Sequence, residues 1–353
     1  MFALDEIQNY PVNWKDGMRV SAQNFITTDR AWGDALRDVR VTLFQGVQFG
    51  LLPPLRDSSD TSSYPKLLLD NAKNLLTLKE CRAITEGGYR IEITEELHRQ
   101  FQMPLEFPNV NIQKQEDFSV YITVDMFAPK GAGKMSADAP PRHQFVSPFY
   151  ELSVIYDSDG IGLSGFNHLK IAEYRYTHGG FQRNEGFIPA CMTINTQEIL
   201  LKRFEKAGSN LKAIHDNGVS LVKRYRLDER PEVRDATAWI EKIILFIAQS
   251  IWQYNDNLVQ QAPIYTITHF KNLAQYILTI TEIQESNPFL KNGAKSENSF
   301  YKAIAAPNFI NNDLRTSFNR IDLALNSLHV WFKALSESFR QGHVVAVEDM
   351  RKK

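Results

Sequence analysis

The chain has 353 residues, of which 43% are hydrophobic and 11% aromatic, and its formal net charge is −1. That size accommodates two or three domains, the apolar content excludes a disordered chain, and the balanced charge argues against general attraction to nucleic acid or an anionic membrane. The two cysteines, Cys81 and Cys191, lie far apart in sequence, which excludes a disulfide scaffold or a Cys-rich metal knuckle and fits a reducing compartment.

Met1 to Glu6 lacks the basic start and apolar core of a signal peptide. The next stretch is the most informative. Trp14 and Phe25 are large apolar anchors, Gly17 beside Met18 provides a turn, Gln23 is a neutral donor and acceptor, and Asp29 and Arg30 open a helical pattern. No nucleophile, base or ligand set accompanies them, so a folded arm packing its aromatics is the direct reading. A helix over about 29–44 follows, with Leu36, Val39 and Leu43 expected as its buried stripe.

Short strand-like runs come next. An Asp70-Asn71 turn signal divides the apolar residues of 67–78. Residues 89–94 alternate apolar and polar behind a Gly87-Gly88 turn. Residues 118–127 and 150–156 are rich in β-branched and aromatic side chains. Together these predict an antiparallel sandwich.

Near residue 190 the period becomes helical. Asn195 or Thr196 is placed to cap a helix carrying Ile199, Leu200, Phe204, Leu211 and Ile214. Pro231 suits the start of a second helix, with Trp239, Ile243, Phe246, Ile247, Ile251 and Tyr254 at spacings mainly of three and four. Pro263 opens a third, with Phe270, Leu273, Ile277 and Ile280 inward. Ser286-Asn287-Pro288 and Asn292-Gly293 interrupt the pattern. Asn312 or Asp313 caps a last helix striped by Leu314, Phe318, Ile321, Leu325, Leu328 and Phe332. A four-helix bundle is the natural solution. Ile243 to Ala248 is far too short a run to span a membrane. Trp239 and Phe246 are expected in the core, whereas Trp252 falls on another face and is a candidate trimer contact.

Several motifs that suggest chemistry fail on spacing. Lys130-Gly-Ala-Gly-Lys134 has Ala128 where a phosphate loop needs Gly and Met135 where it needs Ser or Thr, so a mobile hairpin loop is expected. Asp157-Ser158-Asp159-Gly160 places Gly too early for a calcium loop and has His168 at the twelfth position, so a turn is expected. His178 beside Gly179-Gly180 belongs in a loop, and Glu95-Glu96 reads as a solvated pair or a helix start. No catalytic residues, metal ligands or cofactor site are assigned.

The segment containing Trp14, Gly17, Met18, Gln23, Phe25, Asp29 and Arg30 resembles, in order, the N-terminal signature of the TssK family, adaptors of the type VI secretion baseplate. Ala22 and Asn24 replace a Pro and a His that the family usually carries around that Gln. Phe187-Ile188-Pro189, followed by Ala190 and Cys191, is similar to the family's transition from a β-rich shoulder to a helical bundle. Pro263 and the apolar helix after it match more loosely. The resemblance implies a homotrimer whose arm binds a wedge of TssF-like and TssG-like proteins, and which connects the wedge to a membrane-anchor protein not identifiable from sequence. It implies a cytoplasmic place at the inner membrane, without insertion, nucleic acid or cofactor.

The expected fold is α+β and multidomain: a β-sandwich-like shoulder with an N-terminal arm over 1–190, an antiparallel four-helix bundle over 191–341, and a tail over 342–353 too short to bury the family's C-terminal head domain. Such a short form suits a divergent, Bacteroidetes-type system. Two other classes compete with the structural adaptor. A phage-tail-derived receptor-binding protein would bind glycans, and an enzyme with a dispersed site would show turnover abolished by one substitution.

Overall fold

The computed structural model describes residues 7, 9–44, 46–54, 64–101, 107–137, 139–160, 163, 165–284, 286–290, 301–305 and 313–345. The chain divides into two compact units, Met1–Met192 and Thr193–Lys353. The Asn292-Gly293 signal and the end of the tail lie outside the described residues.

The first unit begins with an extended arm and helix α1 (Ala22–Phe44). The helix starts seven residues before Asp29. Ser21 sets that start, because its backbone N–H and hydroxyl both donate to the Asn24 side-chain oxygen, at 2.9 and 2.7 Å. Asp29 and Arg30 therefore lie within the helix.

Two antiparallel sheets follow. The first contains β1 (Gly50–Leu51), β2 (Lys66–Asp70), β3 (Leu75–Ile84), β4 (Arg90–Ile93) and β5 (Asn109–Asn111), with β3 pairing all the others. The β2–β3 turn is held by the Asp70 carboxylate, which accepts from the N–H groups of Ala72 and Lys73. At the β3–β4 turn Gly88 takes φ +78° and its N–H donates to the Thr85 carbonyl. A short helix, α2 (Glu95–Gln100), is capped by Thr94 and begins with Glu95 and Glu96. The second sheet has the order β7-β6-β8-β9, from β6 (Phe118–Met135), β7 (His143–Tyr156), β8 (His168–Thr177) and β9 (Gly180–Arg183).

Alternation decides which face of each strand is buried. Phe118, Val120, Ile122 and Val124 of β6 point inward, as do Leu76 and Leu78 of β3 and Ile91 and Ile93 of β4. Phe118 stacks on Tyr174 at 5.1 Å and meets Phe181 edge-on at 5.3 Å. Polar ties join the sheets: the Tyr150 hydroxyl accepts from the Glu92 N–H, and Arg183 donates to the Pro65 carbonyl.

The Lys130–Lys134 segment is not a loop. It lies within β6, where Lys130, Gly131 and Ala132 pair with Ser147, Val146 and Phe145 of β7. Irregularities on both sides of this stretch absorb its glycines and Pro129. Asp157–Asp159 forms a single 3₁₀ turn closed by Gly160 at φ +66°, and His178 sits in the β8–β9 turn.

The second unit contains four long helices among the described residues: α3 (Glu198–Tyr225), α4 (Pro231–Asp256), α5 (Pro263–Ile283) and α6 (Leu314–Gln341). Gln197, rather than Asn195 or Thr196, occupies the cap of α3, because Ile194–Thr196 forms a 3₁₀ turn first. Asp313 caps α6 by accepting from the Thr316 N–H, and Gly342 ends it at φ +77°. α3 and α5 each pack against both α4 and α6. Short connections make successive helices antiparallel.

The predicted stripes of α5 and α6 are buried throughout, from Phe270 to Ile280 and from Leu314 to Phe332. Each such aliphatic or aromatic side chain contributes about 1.5–3 kcal/mol. Tyr254 stacks on Phe204 with centroids 4.2 Å apart and donates its hydroxyl to the Phe204 carbonyl at 2.7 Å. Arg230 holds Asp228 in the α3–α4 connection and donates to the Phe339 carbonyl, tying that turn to the end of α6.

Candidate functional site

The candidate surface is built on the N-terminal arm and α1. Gly17 takes φ +78°, a left-handed turn with open space around it. That turn folds the arm back so that Trp14 meets Phe25, ring centroids 6.1 Å apart. Both rings remain about half exposed, at 48% and 58%. Met18 is half-buried, and Gln23 and Asp29 are exposed. Arg30 points the other way and donates to the Phe127 carbonyl of β6 at 2.8 Å.

The attachment of α1 overturns the expected stripe. Leu36, Val39 and Leu43 are exposed rather than buried. The face turned inward carries Asp34, Arg37 and Val41, with Asp34 and Arg37 each 2% exposed. Arg37 pairs with Asp34 at 3.1 Å and donates to the Tyr89 hydroxyl at 3.2 Å. Burial opposes the Arg37 charge, yet hydrogen bonds to Tyr89 and Asp38 hold its pKa above the ordinary arginine value. Arg40 donates to the Gly88 carbonyl, and a Cβ at Gly88 would lie 3.1 Å from both the Arg37 carbonyl and Val41 Cγ2. The helix thus rests on the Gly87-Gly88 turn through satisfied polar groups. Asp34 also accepts from the backbone N–H of Asn9 at 2.8 Å, which holds the arm to the helix.

The junction residues close the first unit. Ile188 and Pro189 are buried, and Phe187 is half-buried with the Lys170 ammonium 4.9 Å from its ring centre. Leu51 donates to the Ala190 carbonyl and accepts from the Met192 N–H, both at 2.8 Å. Gly50 is required beside this pairing, since a Cβ there would lie 2.1 Å from the Ala190 oxygen. Cys81 and Cys191 are both fully buried, and burial raises both thiol pKa values.

Sequence reasoning missed a cleft of about 1090 Å³ in the first unit. It lies between the β4–α2 segment and the outer part of the β6–β7 hairpin, with Arg90, Glu92, Leu97, Phe101, Phe145 and Tyr150 among its walls. Phe101 and Phe145 meet edge-on at 5.3 Å. The only local signal was the cluster of aromatics at 145–150. On α4, Trp252 is exposed, and so is Leu245 one heptad earlier. Trp239 and Phe246 are half-buried. The Lys242 ammonium sits 3.5 Å over the Trp239 ring, and Phe246 stacks on Tyr276 at 4.7 Å. Among the described residues no three His, Cys, Asp or Glu side chains are grouped to hold a metal. No helix among them is long and apolar enough to cross a membrane.

These features define an α+β protein in which a two-sheet unit with an N-terminal arm precedes a four-helix bundle. The same fold occurs in solved structures of TssK. A crystal structure of TssK covers 90% of this chain and 69% of its own length, with TM-score 0.59 at 12% identity. The cryo-electron microscopy structure of the type VI secretion TssK–TssF–TssG baseplate subcomplex covers 93% of this chain and 100% of its own, with TM-score 0.55 at 11% identity. TssK from the EAEC type VI secretion system, solved with a nanobody, covers 86% and 99%, with TM-score 0.51 at 11% identity. The chain therefore has a TssK-like fold. No protein-family profile matches it, and no curated protein matches its sequence.

Proposed function

We propose that this chain is a structural, non-enzymatic subunit of a type VI secretion baseplate that connects a wedge of TssF-like and TssG-like proteins to a membrane-anchor protein. It acts as a homotrimer on the cytoplasmic face of the inner membrane. The observation that carries this reading is the shared fold over 90% of the chain, spanning both units, with TssK. One of the similar structures is a TssK–TssF–TssG subcomplex, which supports wedge binding as this chain's role. The half-exposed Trp14–Phe25 pair, fixed by the Gly17 turn, is the wedge-facing part of the arm. Repetition of that surface three times converts modest contacts into stable assembly. Trp252 and the Phe187–Pro189 junction serve the trimer and the shoulder–bundle transition respectively.

The test is co-purification of the tagged full-length chain with the TssF-like and TssG-like proteins encoded in its own genome. Stable capture of both at fixed stoichiometry is expected. Failure to capture either, together with glycan binding or a reproducible turnover, overturns the reading.

A further inference from the structure

We infer that the exposed face of α1 is a homotypic coiled-coil seam through which copies of this chain associate in parallel. Trp32, Leu36, Val39 and Leu43 are separated by four, three and four residues, the d-a-d-a spacing of a heptad. They are 66%, 54%, 55% and 70% exposed. Among the described residues none covers them. An ordinary surface helix buries such a stripe and exposes its charges. Here Asp34 and Arg37 are the buried pair, so the apolar stripe is left for a partner outside the chain.

The occupant is a second copy of the same face. The four side chains expose on the order of 450 Å² per copy, more than half of the ~800 Å² that each partner contributes to a standard interface. The flanking heptad positions suit self-pairing. Ala35 and Thr42 at g are uncharged, Gly33 at e has open space where a Cβ would stand, and Arg40 at e is engaged with the Gly88 carbonyl. No like charges therefore oppose one another when identical seams meet, and the seam offers no charge for a dissimilar partner to recognise. Small residues beside Trp32 leave hollows for a facing knob. Asp29 lies at the a position one turn before Trp32 and marks the polar end of the seam. Cyclic symmetry makes the helices parallel around the axis. The number of copies rests on the trimer proposed above; the seam does not.

The experiment uses the full chain. Leu36→Cys and Leu43→Cys place a thiol at an a position, and only a parallel pair brings two copies of position 43 together. Both native cysteines are fully buried, and Gln275→Cys on the exposed side of α5 is the control. Mild oxidation is expected to give covalent dimers of both seam variants and none of the control. A Leu36→Glu, Val39→Glu double variant is expected to fall from three chain masses to one by light scattering, with its far-UV circular dichroism unchanged. A trimeric wild type whose double variant stays trimeric, with no cross-linking above control, overturns the seam and leaves the trimer standing. A double variant that stays trimeric but loses the TssF-like and TssG-like proteins also overturns it, by making the stripe a heterotypic surface. A monomeric wild type overturns both. Should the double variant unfold, the cross-linking result decides.

Discussion

Arg37 donates to the Tyr89 hydroxyl across 3.2 Å, and through this bond α1 presents its charged face to the sheet and its leucines to solvent. The bond and the adjacent pair with Asp34 are almost completely buried. Removing one member of a buried pair leaves the other charge without compensation. Arg37→Ala is expected to cost about 3–5 kcal/mol in urea unfolding, detached α1 first. Arg37→Met combined with Asp34→Asn should recover more than half of that loss, because no charge then remains buried. Equal losses in the single and double variants would show that the pair is not what anchors the helix.

Gly218 lies where α3 comes closest to its neighbours. A Cβ there would sit 2.6 Å from Ile244 Cδ1 and 2.8 Å from Phe332 Cε2, and both of those side chains are buried. Alanine normally improves a helix by about 1 kcal/mol over glycine. Overpacking costs about 1–3 kcal/mol, so Gly218→Ala is expected to lower the melting temperature by several degrees. Adding Ile244→Val removes the nearest carbon and should restore part of the loss. A Gly218→Ala protein more stable than wild type would contradict this packing.

His269 sits beside Tyr254 and Phe270. Its Nε2 is buried without a hydrogen-bond partner, and burial lowers its pKa from 6.5 to about 4. The unfolded chain takes up a proton near pH 6.5, whereas the folded chain waits until about pH 4. Stability is therefore unaffected by this group above pH 6.5 and is lost as pH falls from there toward 4, by on the order of 2–3 kcal/mol. His269→Gln is expected to flatten that part of the pH–stability curve, measured by urea unfolding at pH 7 and pH 4.5. An unchanged slope would assign the loss to other groups.

Replacing Trp14 and Phe25 by Ala should reduce capture of the wedge proteins at least tenfold in pull-down titrations. Both rings are half exposed and make no buried core contact, so the trimer mass and the melting temperature of the bundle should stay unchanged. Unchanged capture would remove the pair from the wedge contact.

The bundle was readable because its signal is local. Leu314, Phe318, Ile321, Leu325, Leu328 and Phe332 repeat at helical spacing, and all are buried. Strand alternation at Phe118 to Val124 was legible for the same reason. The orientation of α1 was not. The partners that draw Asp34 and Arg37 inward are Asn9 and Tyr89, and nothing near α1 in sequence announces Tyr89. The strand at Lys130–Gly131–Ala132 was hidden likewise, since its ladder partners Phe145 to Ser147 come from the other arm of a long hairpin. The cleft between α2 and that hairpin is assembled from distant segments, so its walls carry no linear motif. The arm was legible in its parts: the turn at Gly17 and the Trp14–Phe25 contact follow from residue type and spacing.

The central claim is a passive three-copy bracket, and the mass of the full-length chain in solution tests it most directly. Light scattering coupled to size exclusion at micromolar concentration is expected to give three times the 40.5 kDa chain mass. A single species of 40.5 kDa across that concentration range would contradict the account.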